Sequence, residues 1–145
     1  MKMSGTIRVK TEPKWGTLFA DWKKYCGEFH QLFFLAACVG YRAGERTPLK
    51  RGDERFWSST VTPEEWVCFY AMLLEDNGFD WTSSTDENAL AIAEQYANVG
   101  LSLLVEHVLG DYMGSKKEAP SLDSSARGLP REVVSYVRAQ SSSSA

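Results

Sequence analysis

Lysine and arginine are absent from a long part of this 145-residue chain, since neither occurs between Phe56 and Ser115. The fifty-five residues before that part contain eleven of them. When Asp and Glu are counted as well, residues 1–55 have a net charge of +5 from eleven basic and six acidic residues, residues 56–115 of −10, and residues 116–145 of +2. Charge sorted in this way predicts a surface with two unlike faces, which is typical of a protein that binds other molecules.

Cysteine is also scarce. Cys26, Cys38 and Cys68 are odd in number and lie twelve and thirty residues apart, and this spacing fits neither a disulfide framework nor a zinc-binding pattern. We therefore expect buried thiols. Residues 1–13 lack the apolar stretch of a signal peptide, and the apolar runs of residues 32–39 and 66–74 are too short to span a bilayer. These absences predict a cytoplasmic protein without a membrane segment.

Residue types that carry catalysis are not concentrated anywhere. The chain contains no Gly-x-Ser-x-Gly elbow and no Gly-x-x-x-x-Gly-Lys-Ser/Thr phosphate loop. Glu12 and Lys14 have the acid-x-lysine spacing of metal-dependent nucleases, but the upstream Asp that this motif requires is missing. We predict that the chain is not an enzyme and uses no cofactor.

The remaining candidate residues have structural explanations. His30 and His107 lack cysteine or acidic neighbours at ligand spacing, so we expect core or boundary histidines and no metal site. Glu64 and Glu65 form a carboxylate pair that could serve acid–base chemistry, but they directly follow Thr62-Pro63. That position is typical of helix-capping residues. No catalytic residue is predicted.

Apolar residues recur at helical spacing in most of the chain. The pattern predicts helices over residues 14–26, 28–40, 63–76 and 86–110. The second is apolar nearly all round, which indicates a central helix. Gly100 lies inside the fourth and predicts either a break in that helix or close contact with another backbone.

The composition divides the chain into three parts. Residues 1–13 form a basic arm or an edge strand, residues 14–112 a helical domain, and residues 113–145 a flexible Ser-rich tail with a short helix near 130–139. That short helix either docks on its own domain or enters a groove on a partner. The predicted fold class is mainly α, a compact bundle of about four to five helices with a short N-terminal strand or arm.

Two charged groups are the candidate binding residues. At the exit of the central helix, Arg42, Arg46, Lys50 and Arg51 suit phosphate or acidic side chains. Alternatively, Arg42 and Arg46 pair with acids of the third or fourth helix in the same molecule. The basic group is Arg8, Lys10, Arg42, Arg46, Lys50 and Arg51. The predicted acidic face is Glu64, Glu65, Glu75, Asp76, Asp80, Asp86, Glu87 and Glu94.

Short motifs at the central helix and its exit resemble a known family. They are Phe34-Leu35-Ala36-Ala37, Gly40-Tyr41, Gly44, Arg46 and Pro48-Leu49, followed by Tyr96-Ala97-Asn98 and Gly100-Leu101, with Ile7-Arg8-Val9-Lys10 as a basic lead-in. The sequence resembles the small DNA phosphorothioation-associated proteins numbered four in the Dnd systems, over residues 7–110. This resemblance implies a role in bacterial DNA sulfur modification and restriction against phage, and it brings no catalytic residues.

The function expected from charge and resemblance together is that of a non-enzymatic accessory subunit. Its partner would be a larger protein of a DNA-modification or restriction complex, with weak or indirect DNA contact. One alternative is an autonomous nucleic-acid-binding module in which exposed Trp15 or Trp57 stacks on bases, although a pI near 5.4 is unusual for such a module. Another is an acidic inhibitor that imitates DNA.

Overall fold

The computed structural model describes residues 6–109 together with Leu122 and Arg138. Within that part of the chain the fold is mainly helical, as predicted, with four α-helices beside a two-stranded sheet. The elements in chain order are β1 (Arg8–Thr11), α1 (Gly16–Tyr25), α2 (Phe29–Ala43), β2 (Asp53–Trp57), α3 (Pro63–Asp76) and α4 (Asp86–Leu104). Apart from Leu122 and Arg138, the predicted tail and its helix near 130–139 lie outside the described residues.

The start of α3 confirms the predicted cap. The Thr62 hydroxyl accepts the Glu65 N–H at 3.2 Å, and the Glu65 carboxylate accepts the Thr62 N–H at 2.9 Å. Pro63 occupies the first helical position, where its missing N–H costs nothing. These local signals placed both ends of α3 correctly at residues 63 and 76.

The predicted end of α2 at Gly40 is wrong, because the helix continues to Ala43. Gly44 ends it instead, with the left-handed φ of 72° that glycine adopts without strain. Gly40 has another role. A Cβ atom at this position would lie 2.0 Å from the carbonyl oxygen of Tyr96 in α4, so glycine permits the two helices to touch.

Gly100 provides the matching contact from α4. A Cβ atom there would lie 1.7 Å from the carbonyl oxygen of Ala36, so the backbones of α2 and α4 are in direct contact. Of the two predicted explanations for Gly100, close approach of another backbone is confirmed, because α4 runs unbroken through it. The buried residues around this crossing are small: Ala36, Ala37, Ala93 and Ala97.

Aromatic side chains fill the core beside this crossing. Phe33 of α2 makes edge-to-face contacts with Phe56 of β2 and Phe69 of α3, with ring centroids 5.5 and 5.7 Å apart. Trp66 is 1% exposed and also packs edge-on against Phe69. Leu122 is buried against this core.

The strand β2 was not predicted. It pairs antiparallel with β1, so that Arg8 lies opposite Trp57 and Lys10 opposite Glu54. Of its five residues, Asp-Glu-Arg-Phe-Trp, Phe56 is the one that is buried in the core. The sequence lacks the alternation of apolar and polar residues that identifies a strand. Arg55 fixes the pair by donating to the Thr11 hydroxyl at 2.7 Å.

The expected burial of the three cysteine thiols is only partial. Cys26, Cys38 and Cys68 are each half-buried, and burial raises the pKa of the Cys38 thiol to about 12. In the described ranges no helix combines the length and the apolar character needed to cross a membrane.

The glycine contact between α2 and α4 predicts a large effect from one methyl group. We expect Gly100→Ala to lower the free energy of unfolding by about 3 kcal/mol, the upper end of the range for overpacking a core, because the neighbouring atom belongs to rigid backbone. Gly52→Ala is the control, since its new Cβ would meet the exposed and flexible Lys10 side chain at 3.1 Å. Urea unfolding followed by circular dichroism measures both, and equal effects would contradict this account.

Candidate functional site

The basic segment after α2 is partly used within the molecule. The Arg46 guanidinium lies 2.5 Å from the Asp76 carboxylate at the end of α3 and 5.8 Å from the ring centre of Tyr96. Nearby, the Tyr41 hydroxyl donates to Glu75, which raises the pKa of Tyr41 to about 12. Arg46 therefore forms an ion pair within the molecule, which is one of the two roles predicted for it.

Arg8 is also engaged at the sheet. Its guanidinium stacks 3.6 Å from the ring centre of Trp57 and lies 3.7 Å from the Glu54 carboxylate. Trp57 remains 43% exposed, but Trp15, the other aromatic residue expected to stack on bases, is only 3% exposed. The expectation of an exposed Trp15 is wrong, because this side chain lies in the core.

The other predicted basic residues are exposed. Pairing of β1 with β2 brings Lys10 close to the chain that leads into β2, where Gly52 packs against the aliphatic part of the Lys10 side chain. Lys50 and Arg51 immediately precede that contact, and Arg42 lies in the last turn of α2. Lys10, Lys50 and Arg51 are thus three exposed cations near the end of the sheet.

Glu12, the acidic residue of the suspected nuclease spacing, has a structural role. Its carboxylate accepts from the Lys50 backbone N–H and from the Asn98 side-chain amide, each at 3.3 Å. Asn98 also donates to the Thr47 carbonyl at 3.1 Å. Glu12 therefore helps to fasten the segment between α2 and β2 onto α4. Among the described residues no group of three His, Cys, Asp or Glu side chains could hold a metal ion.

The predicted acidic face needs correction at three positions. Glu65 is 7% exposed and contacts the His30 ring at 3.0 Å, and Asp86 is 6% exposed and accepts from the Tyr70 hydroxyl. Glu94 is half-buried and accepts the Lys10 backbone N–H at 2.7 Å. Cap formation and contacts between elements turn these carboxylates inward. The exposed members are Glu64, Glu75, Asp76, Asp80 and Glu87.

A feature that the sequence did not reveal lies among these exposed acids. Residues 77–84, which we call the aromatic loop, connect α3 to α4. Phe79 is 68% exposed and Trp81 is 61% exposed, although side chains of this size normally contribute to a core. The sequence signal is a Phe-Asp-Trp triplet between the turn residues Asn77-Gly78 and Thr82-Ser83.

Hydrogen bonds hold the aromatic loop in one conformation. The Asn77 side chain accepts the Asp80 N–H at 3.0 Å and donates to the Asp80 carbonyl at 3.2 Å. The Asp80 carboxylate accepts from the N–H and hydroxyl of Thr82 at 3.0 and 2.6 Å and from the Ser83 hydroxyl at 3.1 Å. These bonds lower the pKa of Asp80, so the loop keeps its negative charge.

The backbone of the loop is strained at Phe79. This residue has a φ of 65°, directly after Gly78 at 69°. The left-handed conformation costs a residue with a Cβ on the order of 1–2 kcal/mol, a cost that glycine does not have. The Phe79 N–H donates to the Leu74 carbonyl at 2.7 Å, and this bond keeps Phe79 at the end of α3. Strain of this kind, when observed, indicates a functional position.

Comparison of the chain with protein-family models, with curated proteins and with solved structures gives no match. The resemblance to the phosphorothioation-associated family therefore stays a prediction.

The contact between Arg46 and Asp76 leads to a stability prediction. Each side chain is about one-third exposed, so we expect Arg46→Ala to reduce the free energy of unfolding by about 0.5–1 kcal/mol, and less in high salt. Arg51→Ala removes an exposed arginine nearby and should change stability by less than half that amount. Chemical unfolding at low and high salt tests the pair, and an unchanged Arg46→Ala variant would show that the contact contributes nothing.

Glu94 leads to a pH prediction. Burial raises its pKa to about 7 from an ordinary value of 4.5, although the Lys10 N–H acts in the opposite direction. The folded chain therefore binds this proton more tightly than the unfolded chain, so stability is lost as pH rises from about 4.5 to about 7. We expect Glu94→Gln, whose amide oxygen can accept the same N–H, to raise the melting temperature at pH 8 (~1 unit above that pKa) but hardly at pH 5.

The control for this pH prediction is Glu45→Gln, which neutralises an exposed carboxylate after α2. Its melting temperature should follow that of the unmodified protein at both pH values. A Glu94→Gln variant that keeps the full pH dependence of the unmodified protein would contradict the assignment of the proton to Glu94.

Proposed function

We propose that this chain is a non-enzymatic adaptor that binds a larger protein through the acidic surface of α3, α4 and the loop between them. The observation that carries the proposal is the charge of this surface. Residues 56–109 contain no lysine or arginine, while Glu64, Glu75, Asp76, Asp80 and Glu87 are exposed there. A surface of one sign accelerates association with a partner of the opposite sign and excludes others.

The setting proposed for this adaptor is a bacterial DNA-modification or restriction complex in the cytoplasm. That setting is supported by the resemblance of residues 7–110 to the phosphorothioation-associated family. The exposed cations near the end of the sheet, Lys10, Lys50 and Arg51, would then face DNA or an acidic protein surface of the same complex.

Two alternatives have less support. An autonomous nucleic-acid-binding module would need a continuous basic surface with exposed aromatic residues, but Arg8 and Arg46 contact Glu54 and Asp76, and Trp15 is buried. An inhibitor that imitates DNA would need regularly spaced carboxylates. Glu65 and Asp86 are buried, and this reduces the number available on the surface.

The test is recovery of the tagged full-length chain from its native cells after nuclease treatment. We expect one larger protein to accompany it in fixed ratio, and Glu87→Lys to weaken the association at least about threefold, since the rim of a charged interface governs encounter. Glu45→Lys makes the same change of charge outside the acidic surface and should have little effect.

Two results would count against the adaptor. One is the absence of any protein partner. The other is tight binding of duplex DNA by the purified chain at physiological salt, because an acidic adaptor should bind DNA weakly and lose that binding steeply as salt rises.

A further inference from the structure

We propose that the aromatic loop is the docking element of this adaptor, and that Phe79 and Trp81 enter an apolar pocket with a basic rim on the partner protein. This inference rests on the proposed function and specifies its site. Phe79 and Trp81 are 68% and 61% exposed within three residues of one another. Aromatic side chains that fill a partner's pocket carry much of the binding energy in protein interfaces.

The loop is organised before binding. Asn77 and Asp80 fix its backbone through the bonds described above, and the Asn88 side chain donates to the Ser83 carbonyl at 3.0 Å from the first turns of α4. Because the loop has little conformational freedom left to lose, association would cost less entropy than with a flexible segment.

The conformation of Phe79 supports a role outside the molecule. If position 79 served only to connect α3 to α4, glycine would adopt this φ of 65° with less strain than phenylalanine. The exposed phenyl ring of Phe79 does not belong to the core cluster. The position therefore keeps a strained aromatic residue that the fold itself does not require.

Charge selects the kind of partner. Asp80 lies between the two aromatic residues and Glu87 follows the loop, while no lysine or arginine occurs from residue 56 to residue 109. Asp76, which precedes the loop, is paired with Arg46 and adds little net charge. The phosphates of nucleic acids and anionic lipid headgroups would be repelled. A protein pocket rimmed by lysine and arginine complements both the apolar and the acidic character.

The experiment compares three variants of the tagged full-length chain in native cells. Phe79→Gly and Trp81→Ser remove the proposed anchors, and Trp57→Ser removes an exposed aromatic side chain (43%) from β2, outside the acidic surface, as a control. Phe79→Gly should retain or increase thermal stability because glycine relieves the strained φ, so a loss of binding in this variant cannot be attributed to unfolding. A photo-crosslinking residue with an aromatic side chain at position 81, which keeps a ring at this anchor, identifies what the loop touches.

We expect Phe79→Gly and Trp81→Ser to reduce recovery of the partner at least about tenfold, with Trp57→Ser unchanged. The cross-linked peptide of the partner should contain apolar residues flanked by lysine or arginine. Partner recovery that is equal in all variants would overturn the docking assignment and leave the adaptor function standing. If the unmodified chain recovers no protein, both proposals fail.

Two measurements on purified protein address other occupants of the loop. A blue shift of the Trp81 fluorescence with phosphatidylcholine vesicles, taken as the difference from Trp81→Ser, would indicate lipid. Self-association in sedimentation velocity that Trp81→Ser abolishes would indicate a second copy. Either result would overturn the assignment to a partner protein.

Discussion

The direct contact between the backbones of α2 and α4 is the constraint on which the other features depend. Gly40 and Gly100 remove the side chains that would separate these helices, since a Cβ atom at either would lie within 2.0 Å of a carbonyl oxygen of the other helix. With α4 held at this distance, two of its polar side chains reach other elements. Glu94 contacts β1, and Asn98 contacts Glu12 and the Thr47 carbonyl. The basic segment between α2 and β2 is therefore positioned by α4.

Helices were predictable here because their signals are local. The cap at Thr62 and Glu65 and the apolar spacing that follows it lie within one stretch of sequence, so both ends of α3 were predicted correctly. The function of Gly40 was not predictable in the same way. Its partner, Tyr96, lies fifty-six residues away, and a glycine that ends a helix looks the same in sequence as one that permits close packing. β2 was missed for a related reason, since its pairing with β1 is also non-local.

In the candidate site, too, local features could be predicted from the sequence and non-local contacts could not. Residue types indicated where charge is abundant, but they could not indicate which charges pair. Arg46 reaches Asp76 across the space between α2 and α3, and Glu65 turns inward to its own cap and to His30. The aromatic loop was missed because aromatic residues usually indicate a core, and the left-handed φ of Phe79 appears only in the folded backbone. Charge sorted along the chain therefore leads to a less sharply divided surface in space.

This reduction affects both signs. Arg8, Arg46 and Arg55 bind groups of their own molecule, and Arg55 donates to the Thr11 hydroxyl beside the sheet. Lys10, Lys50 and Arg51 form an exposed group near the end of the sheet, and Lys14, Lys23, Lys24 and Arg42 are exposed elsewhere. The acidic surface loses Glu65, Asp86 and Glu94 to buried or half-buried positions, and Arg46 pairs with Asp76, one of its exposed members.

The same hydrogen bonds that stabilise the connection between α3 and α4 display Phe79 and Trp81. Asn77 closes the loop on Asp80, and Asp80 in turn begins the 3-10 turn that contains Trp81. A connection held this firmly does not need two large apolar side chains in solvent, where they lose the free energy that burial would give. The hydrogen bonds of the loop explain its fixed conformation, but they do not explain its two exposed aromatic side chains. Docking on a partner protein, as proposed above, accounts for them.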